Sequence, residues 1–321
     1  MNVLPEQIRK QIAEWLTGGA IDLFIGYEQG SVPLRATPVF IRRPEEVDRL
    51  IWDATCENNL AAFLPKYMRQ GTGGGQKIGI MVKGCDARAV VGLLQEGQVQ
   101  REKLHIVGVR CPGVVDVRQV AERLGIVADD IDEAHVDGDT VVVGDVRLPL
   151  AEVMHRVCRT CAQHNPNVYD VVFGDEVPDE PAEDPFAHVH AMEALSVDER
   201  WQRFEQELAK CNLCYACRNA CPLCYCTECF ADRSQPRWVS QTLRPEDVQF
   251  FHVIRTFHLA ARCVGCGACS RACPQGVDLR QFLDKLRLDT LELFEYTAGE
   301  DPDVKPPLTT YREDDYNDFV M

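Results

Sequence analysis

Hydrophobic residues in the first half of the chain alternate between short strand-like runs and helix-like spacing. The apolar runs predict strands over residues 21–27, 38–41, 77–83 and 104–109. Apolar residues at helical spacing predict helices over residues 5–17, 44–54, 58–68 and 86–96, and a further helix after Asp116. Strands that alternate with helices are typical of a parallel α/β layer. A hairpin with its turn at Asp137-Gly138 is predicted after them.

The second half of the chain shows only helical spacing, over residues 197–210, 244–261 and 279–294. An acidic, proline-containing stretch from Gly174, GDEVPDEPAEDPF, precedes it and indicates an extended linker. We therefore expect an α/β domain over residues 1–177, with a parallel-type sheet and flanking helices, followed by an all-α domain over residues 201–297. Residues 178–200 are predicted to link them, and residues 298–321 to form an acidic tail that wraps the surface or is disordered.

The formal net charge of −16 limits the choice of partners. Nucleic acid and anionic membrane surfaces are disfavoured, because both would repel the chain. The acidity fits docking to basic patches on partner proteins, or simply a solvated surface. The sequence shows neither a signal-peptide pattern nor an apolar run of membrane-spanning length, so we expect a cytoplasmic location.

Two stretches of the chain share the cysteine spacing C-x2-C-x2-C-x3-C-P, at residues 211–222 and 263–274. In bacterial ferredoxins this run binds [4Fe–4S] clusters, and the fourth cysteine ligates the cluster of the other run. The first predicted site comprises Cys211, Cys214, Cys217 and Cys273. The second predicted site comprises Cys263, Cys266, Cys269 and Cys221. A disulfide framework is the alternative for sixteen cysteines, but it is typical of small secreted chains.

A third group of cysteines belongs to the α/β region. Cys85 and Cys111 follow two predicted strands at their carboxyl ends, the edge where open α/β sheets place ligands. Cys158 and Cys161 form a C-x2-C motif at the end of this region. We predict a third site in which these four cysteines ligate another [4Fe–4S] cluster. Buried structural cysteines are the alternative interpretation.

Four cysteines remain after these assignments: Cys56, Cys224, Cys226 and Cys229. The dense string CPLCYCTEC contains three of them, and Cys56 is the one other cysteine still unassigned. A fourth [4Fe–4S] cluster is the first hypothesis for this set, and a tetrahedral zinc site is the second. These cysteines could also exchange partners with the ferredoxin runs.

Other motifs carry weaker signals. The glycines of residues 71–75 precede a strand rather than follow one, so they indicate a mobile loop, with a role over a flavin phosphate left open. The stretch after the strand at 77–83 offers candidate surroundings for a flavin or a cluster, namely Lys83, Gly84, Asp86 and Arg88. His252 and His258 are expected to pack beside the cluster loops. No catalytic triad or carboxylate pair is indicated.

Several segments resemble the beta subunits of coenzyme F420-reducing hydrogenase and formate dehydrogenase. They are IDLFIGYEQG from Ile21, residues 56–60, residues 83–86, CRTC at 158–161 and residues 170–174. The resemblance implies an FAD beside one [4Fe–4S] cluster, and assigns that cluster to the third site. Residues 201–296 resemble the α-helical ferredoxins of heterodisulfide reductase and fumarate reductase iron–sulfur subunits. The family's flavin and deazaflavin segment after residue 174 is replaced here by the acidic linker, which leaves FAD open.

These observations predict an iron–sulfur electron-transfer subunit of a cytoplasmic anaerobic oxidoreductase complex. Its partners would be subunits of a hydrogenase, formate dehydrogenase or heterodisulfide-reductase-like enzyme. One alternative is a flavin-bearing dehydrogenase subunit that reacts with F420 or a nicotinamide. A second alternative is a zinc-stabilised scaffold or redox sensor.

Overall fold

The chain is described by a computed structural model that covers residues 4–69, 75–240 and 242–311. The predicted glycine loop at 71–75 therefore lies outside the described residues except for Gly75, and so do residues 312–321 of the predicted tail. The first part of the chain forms a five-stranded sheet in the order β2-β1-β3-β4-β8. Its strands are β1 Leu23–Gln29, β2 Ala36–Ile41, β3 Ile78–Val82, β4 Leu104–Val109 and β8 Val171–Phe173.

Strands β1, β3, β4 and β8 run parallel to one another, and only the edge strand β2 is antiparallel. Every residue of β3 is buried, as a strand covered on both faces requires. The helices of this part are α1 Glu6–Thr17, α2 Leu64–Met68, α3 Gly84–Gln95, α4 Val117–Leu124, α5 Leu150–Val153 and α6 Arg156–Arg159. The predicted helices over 44–54 and 58–68 are shorter than expected, because each begins as a 3-10 turn.

A second, smaller sheet joins β5 Ala134–Asp137, β6 Thr140–Val143 and β7 Val146–Pro149 in antiparallel order. The predicted hairpin is present, and Gly138 takes a positive φ of 58° in its turn. The sequence analysis missed β7, which is too short and polar to produce an alternating pattern. This sheet packs with α4 around a separate small core that includes Val120, Val141 and Val153.

The remaining helices are α7 Ala187–Glu193, α8 Val197–Leu208, α9 Ala216–Asn219, α10 Pro245–His258, α11 Ala268–Arg271 and α12 Arg280–Phe294. The predicted order, an α/β part with a parallel-containing sheet before a helical part, is confirmed. The linker prediction was wrong in one respect, since residues 187–193 form α7. That helix buries Val189 and brings His188 to within 3.1 Å of Asp284 on α12. None of the described helices is both long and apolar enough to cross a membrane.

The segment after α12 folds back over α3. Arg88 is buried, and its Nε and Nη2 atoms donate to the carbonyl of Ala298 at 3.0 and 2.7 Å. Gln95 donates to the carbonyls of Asp301 and Val304. The described part of the predicted tail, residues 298–311, therefore wraps the surface. One continuous core joins side chains of the sheet, α10 and α12, so the two parts of the chain pack against each other.

Replacing Arg88 with Met should detach the segment after α12, because a charged donor to a buried carbonyl is lost. We expect the free energy of unfolding to fall by about 1.5–3 kcal/mol. Limited proteolysis under anaerobic conditions should cleave the variant after residue 297 faster than the parent. The control is Arg49→Met, which removes an exposed ion pair with Glu28 and should cost at most about 1 kcal/mol. Equal protease resistance in both variants would contradict this role of Arg88.

Candidate metal centres

The first site is a small cavity lined by the four cysteines predicted for it, Cys211, Cys214, Cys217 and Cys273. Three of them lie on the loop that enters α9, and the second run supplies the fourth. Leu213 and Tyr215 in that loop have positive φ angles of 53° and 59°, so the backbone curls around the cavity. The curl directs the Leu213 N–H to the Cys211 sulfur at 3.4 Å. A loop of this shape can offer thiolates and N–H groups to one bound group.

The second site repeats this geometry. Its cavity is lined by the predicted set Cys263, Cys266, Cys269 and Cys221. Gly265 and Gly267 occupy the positions of Leu213 and Tyr215, with φ angles of 68° and 69°, and α11 follows as α9 does in the first run. The two runs therefore share a backbone conformation as well as a cysteine spacing. In both sites the structure brings the fourth cysteine from the other run, as the sequence predicts.

The third site is a larger cavity of about 280 Å³ at the carboxyl edge of the main sheet. All four predicted cysteines line it: Cys85, Cys111, Cys158 and Cys161. Cys85 begins α3 after β3, and Cys111 follows the adjacent parallel strand β4. A Cβ atom on Gly84 would lie 2.2 Å from the carbonyl oxygen of Gln163, so glycine is required where the two walls meet. Cys266 of the second site also lines this cavity, so the second and third sites share a wall.

The residues predicted as flavin or cluster surroundings divide into two groups. Lys83, Gly84 and Arg88 line the third cavity, although Arg88 is committed to the Ala298 carbonyl. Asp86 is fully buried behind the cavity and pairs with Lys83 at 2.9 Å.

The Lys83 ammonium is buried in a network of its own. It donates to the Tyr27 hydroxyl and, at 2.7 Å, to the carbonyl of Asn58. These contacts make Lys83 a fixed buried cation at the edge of the third site.

Burial governs the ionisation of the site cysteines. It raises the pKa of Cys111, Cys217 and Cys263 to about 12 each. Metal ligation requires thiolates, so a metal or nearby cations must compensate the buried negative charge. The charge of Lys83 opposes the rise in the pKa of Cys111, and the charge of Arg255 opposes it at Cys217. A set of four soft thiol donors, buried and flanked by cations, fits an iron–sulfur cluster.

His252 lies beside the first site, as predicted, and its contact is specific. Its Nε2 atom is 3.2 Å from the Cys211 sulfur, and the ring lines the cavity. Burial, assisted by the charge of Arg255, lowers the pKa of His252 to about 4. The imidazole is therefore neutral near pH 7 and suited to a hydrogen bond with sulfur rather than to an ion pair. The predicted position of His258 is also near the cluster loops, where its ring meets Phe230 edge to face.

The sequence analysis missed the arginines around the sites: Arg255, Arg271, Arg280 and Arg287. Arg271 donates to the carbonyls of Cys266 and Glu57 and so joins the second run to the α/β part. Arg280 and Arg287 share the carboxylate of Asp284 at 2.8 and 2.7 Å. A signal was present, since charged residues interrupt the apolar faces of α10 and α12. The apolar pattern alone does not show what such a face contacts.

The structure does not bring together the predicted fourth set, Cys56, Cys224, Cys226 and Cys229. Cys56 is fully buried under the α/β sheet, where Asp53, Lys83 and Cys111 influence its pKa. The thiol of Cys224 instead lies against Cys221, and Cys226 is exposed. Within the described ranges, no group of three or more His, Cys, Asp or Glu side chains is placed to bind a single metal ion. Grouping these four by elimination was therefore wrong, and the zinc alternative has no geometric support.

Asp284 should be the most sensitive carboxylate of the helical part. Burial raises its pKa, but the hydrogen bond from His188 and the charges of Arg287 and Arg280 outweigh this and lower it to about 2. Asp284→Asn leaves both guanidinium groups buried without a counter-charge, so we expect a loss of about 3–5 kcal/mol in unfolding free energy. Asp289→Asn is the control on the same helix, because its ion pair with Lys285 is largely exposed. Similar losses in anaerobic unfolding of the two variants would refute the assignment.

Removing one thiol from the third site should remove one cluster. Cys158→Ser is expected to lower the iron content by about four atoms per chain, because a hydroxyl is a poor substitute for a thiolate at iron. Cys226→Ser serves as the matched control, since Cys226 is exposed and isolated from the other cysteines of its predicted set. Iron and sulfide are quantified after anaerobic purification. The prediction fails if both variants keep the parent's iron, or if both lose the same amount.

Comparison with known proteins identifies two segments. Residues 75–193 match the family that describes the C terminus of the coenzyme F420 hydrogenase/dehydrogenase beta subunit. Residues 207–277 match the family described as "4Fe-4S dicluster domain". The second match covers most of both ferredoxin runs and confirms [4Fe–4S] clusters as the cofactor type. The number of clusters and the ligands of each stay predictions.

Full-length relatives are similar over most of the chain. The F420-dependent formate dehydrogenase subunit beta of Methanocaldococcus jannaschii is 21% identical over 89% of both chains. The F420-dependent formate dehydrogenase 1 subunit beta of Methanococcus maripaludis is 20% identical, over 91% of this chain and 90% of the relative.

Among solved structures, a chain of the F420-reducing [NiFe] hydrogenase complex from Methanosarcina barkeri covers 66% of this chain and 91% of its own length. It is 13% identical with a TM-score of 0.39, which is too low to support a structural argument. The predicted resemblance is nevertheless confirmed by the two family matches and the relatives. The chain thus combines a segment of the coenzyme F420 hydrogenase/dehydrogenase beta-subunit family with a 4Fe-4S dicluster domain.

Proposed function

We propose that this protein is the iron–sulfur electron-transfer subunit of an oxidoreductase complex, with [4Fe–4S] clusters in the first, second and third sites. The observation that carries the proposal is the adjacency of three cavities, each lined by four cysteines. The ferredoxin runs exchange their fourth cysteines between the first and second sites, and Cys266 lines both the second and the third. The chain thereby arranges the sites in one line.

A [4Fe–4S] cluster, when bound, takes up or releases a single electron without breaking a bond. The chain's own contribution is to hold, bury and bias such groups. The cysteine thiolates supply the ligands, and the packing of α10 and α12 over the loops limits contact with water. The arginines and Lys83 supply fixed positive charge, which stabilises the more negative state of a neighbouring group.

The proposed partners follow from the relatives, which are named as beta subunits of F420-dependent formate dehydrogenases. We infer that this chain likewise docks to a catalytic subunit that oxidises formate or a similar two-electron donor. Cys214 of the first site is exposed, so that end of the line is close to the protein surface. All sixteen cysteines are free, in agreement with a reducing compartment such as the cytoplasm.

A second function, a flavin-bearing subunit that exchanges hydride with F420 or a nicotinamide, is favoured by one observation. The third cavity measures about 280 Å³, whereas those of the first and second sites measure about 20 Å³ each. Phe186, Arg271 and Arg287 also line the larger cavity, at positions beyond the four cysteines. An aromatic ring with guanidinium groups offers a suitable wall for a planar, phosphate-bearing cofactor.

Metal and flavin analysis of anaerobically purified protein tests both functions. We expect about twelve irons and as many sulfides per chain, with EPR signals of reduced [4Fe–4S] clusters. About eight irons would remove the third site from the proposal, and abundant zinc with little iron would overturn it. Flavin released in a one-to-one ratio would select the second function, and its absence would reject it.

A further inference from the structure

Arg255 lies between the first and second sites and contacts both. It comes from the buried face of α10, the helix between the two cysteine runs, and is only 3% exposed. Its Nη2 atom donates to the carbonyl of Cys217, a first-site residue, at 3.1 Å. The guanidinium also hydrogen-bonds the thiol of Cys269, a second-site residue. A single side chain therefore joins cysteines of both ferredoxin sites.

The charge of Arg255 has no carboxylate partner among the residues that the structure describes. The groups that favour its charged form are all cysteines, namely Cys269, Cys221, Cys224 and Cys217. Its Nε atom is buried and has no hydrogen-bond partner within the described residues. A buried cation without a counter-charge is strongly destabilising. The counter-charge of Arg255 must therefore come from the thiolates and whatever they bind.

Resting on the proposed function, we propose that Arg255 is the electrostatic tuning residue of the dicluster, and that its one fixed charge raises the reduction potentials of both ferredoxin sites. Reduction adds one negative charge to a site and makes or breaks no bond, so a nearby cation favours the reduced form. A guanidinium does not titrate in the physiological range, so this contribution is constant with pH. One side chain thereby keeps the two potentials in step.

His252 provides an internal contrast one helical turn earlier on the same face of α10. It contacts Cys211 of the first site and has no described contact to the second. A hydrogen bond from its ring to sulfur would affect one site only. The helix between the runs thus offers one residue for both sites and one residue for the first site alone.

Potentiometric titration of the iron-loaded protein, followed by EPR, tests the proposal. Arg255→Gln should shift both midpoint potentials to more negative values, whereas Arg255→Lys should keep both close to the parent. His252→Leu should shift only one signal and thereby assign it to the first site. Arg244→Gln is the matched control, because Arg244 is exposed at the start of the same helix and carries the same charge. That variant should leave both potentials unchanged.

Several results would overturn the proposal. Potentials that are unchanged in iron-loaded Arg255→Gln would do so, and so would a shift confined to one site. If Arg255→Gln loses its iron, Arg255→Lys decides: retained iron with parental potentials supports the charge, while equal iron loss assigns Arg255 to the structure alone. A parent protein without iron would overturn the proposed function as well, whereas the other outcomes concern this inference only.

Discussion

The structure depends on one electrostatic constraint, the need to compensate thiolate charge inside a protein. Twelve cysteines line three cavities, and burial raises the pKa of many of their thiols. A chain with a net charge of −16 nevertheless buries Lys83, Arg255 and Arg280 beside those cavities. Acidic residues dominate the surface, where water solvates them, and cations are concentrated where negative charge cannot be solvated. The uneven placement of charge is the clearest sign that the cavities hold anionic groups.

The same constraint explains why the two parts of the chain are packed together instead of separated by a linker. Arg271, on the second ferredoxin run, bonds to the backbone of both Cys266 and Glu57 and lines the third cavity. Arg287 reaches that cavity from α12. The third site therefore obtains its cysteines from the α/β part and much of its positive charge from the helical part. Neither part completes that site alone.

Local patterns and sheet topology made most of the fold and three of the four cysteine sets predictable. The ferredoxin runs were predictable because their spacing is local, and the Cys85 set because parallel strands end at a common edge. The Cys56 set failed because it was assembled by elimination, without a topological reason for the four thiols to meet. Arg255 could not be predicted as a bridge, since helical spacing identifies its buried face but not the two loops that meet there.

The charged lining of the three cavities differs in a consistent direction. Among the described residues, the first cavity has no lysine or arginine in its wall, and the second has Arg255 and Arg280. The third is lined by five basic side chains: Lys83, Arg88, Arg271, Arg280 and Arg287. Asp86 and Asp284 offset part of this charge by ion pairing. Because positive surroundings stabilise a group that gains an electron, the protein environment favours reduction more at the third site than at the first. The third site also has the largest of the three cysteine-lined cavities, so that end of the line is the place where electrons would accumulate for a two-electron cofactor.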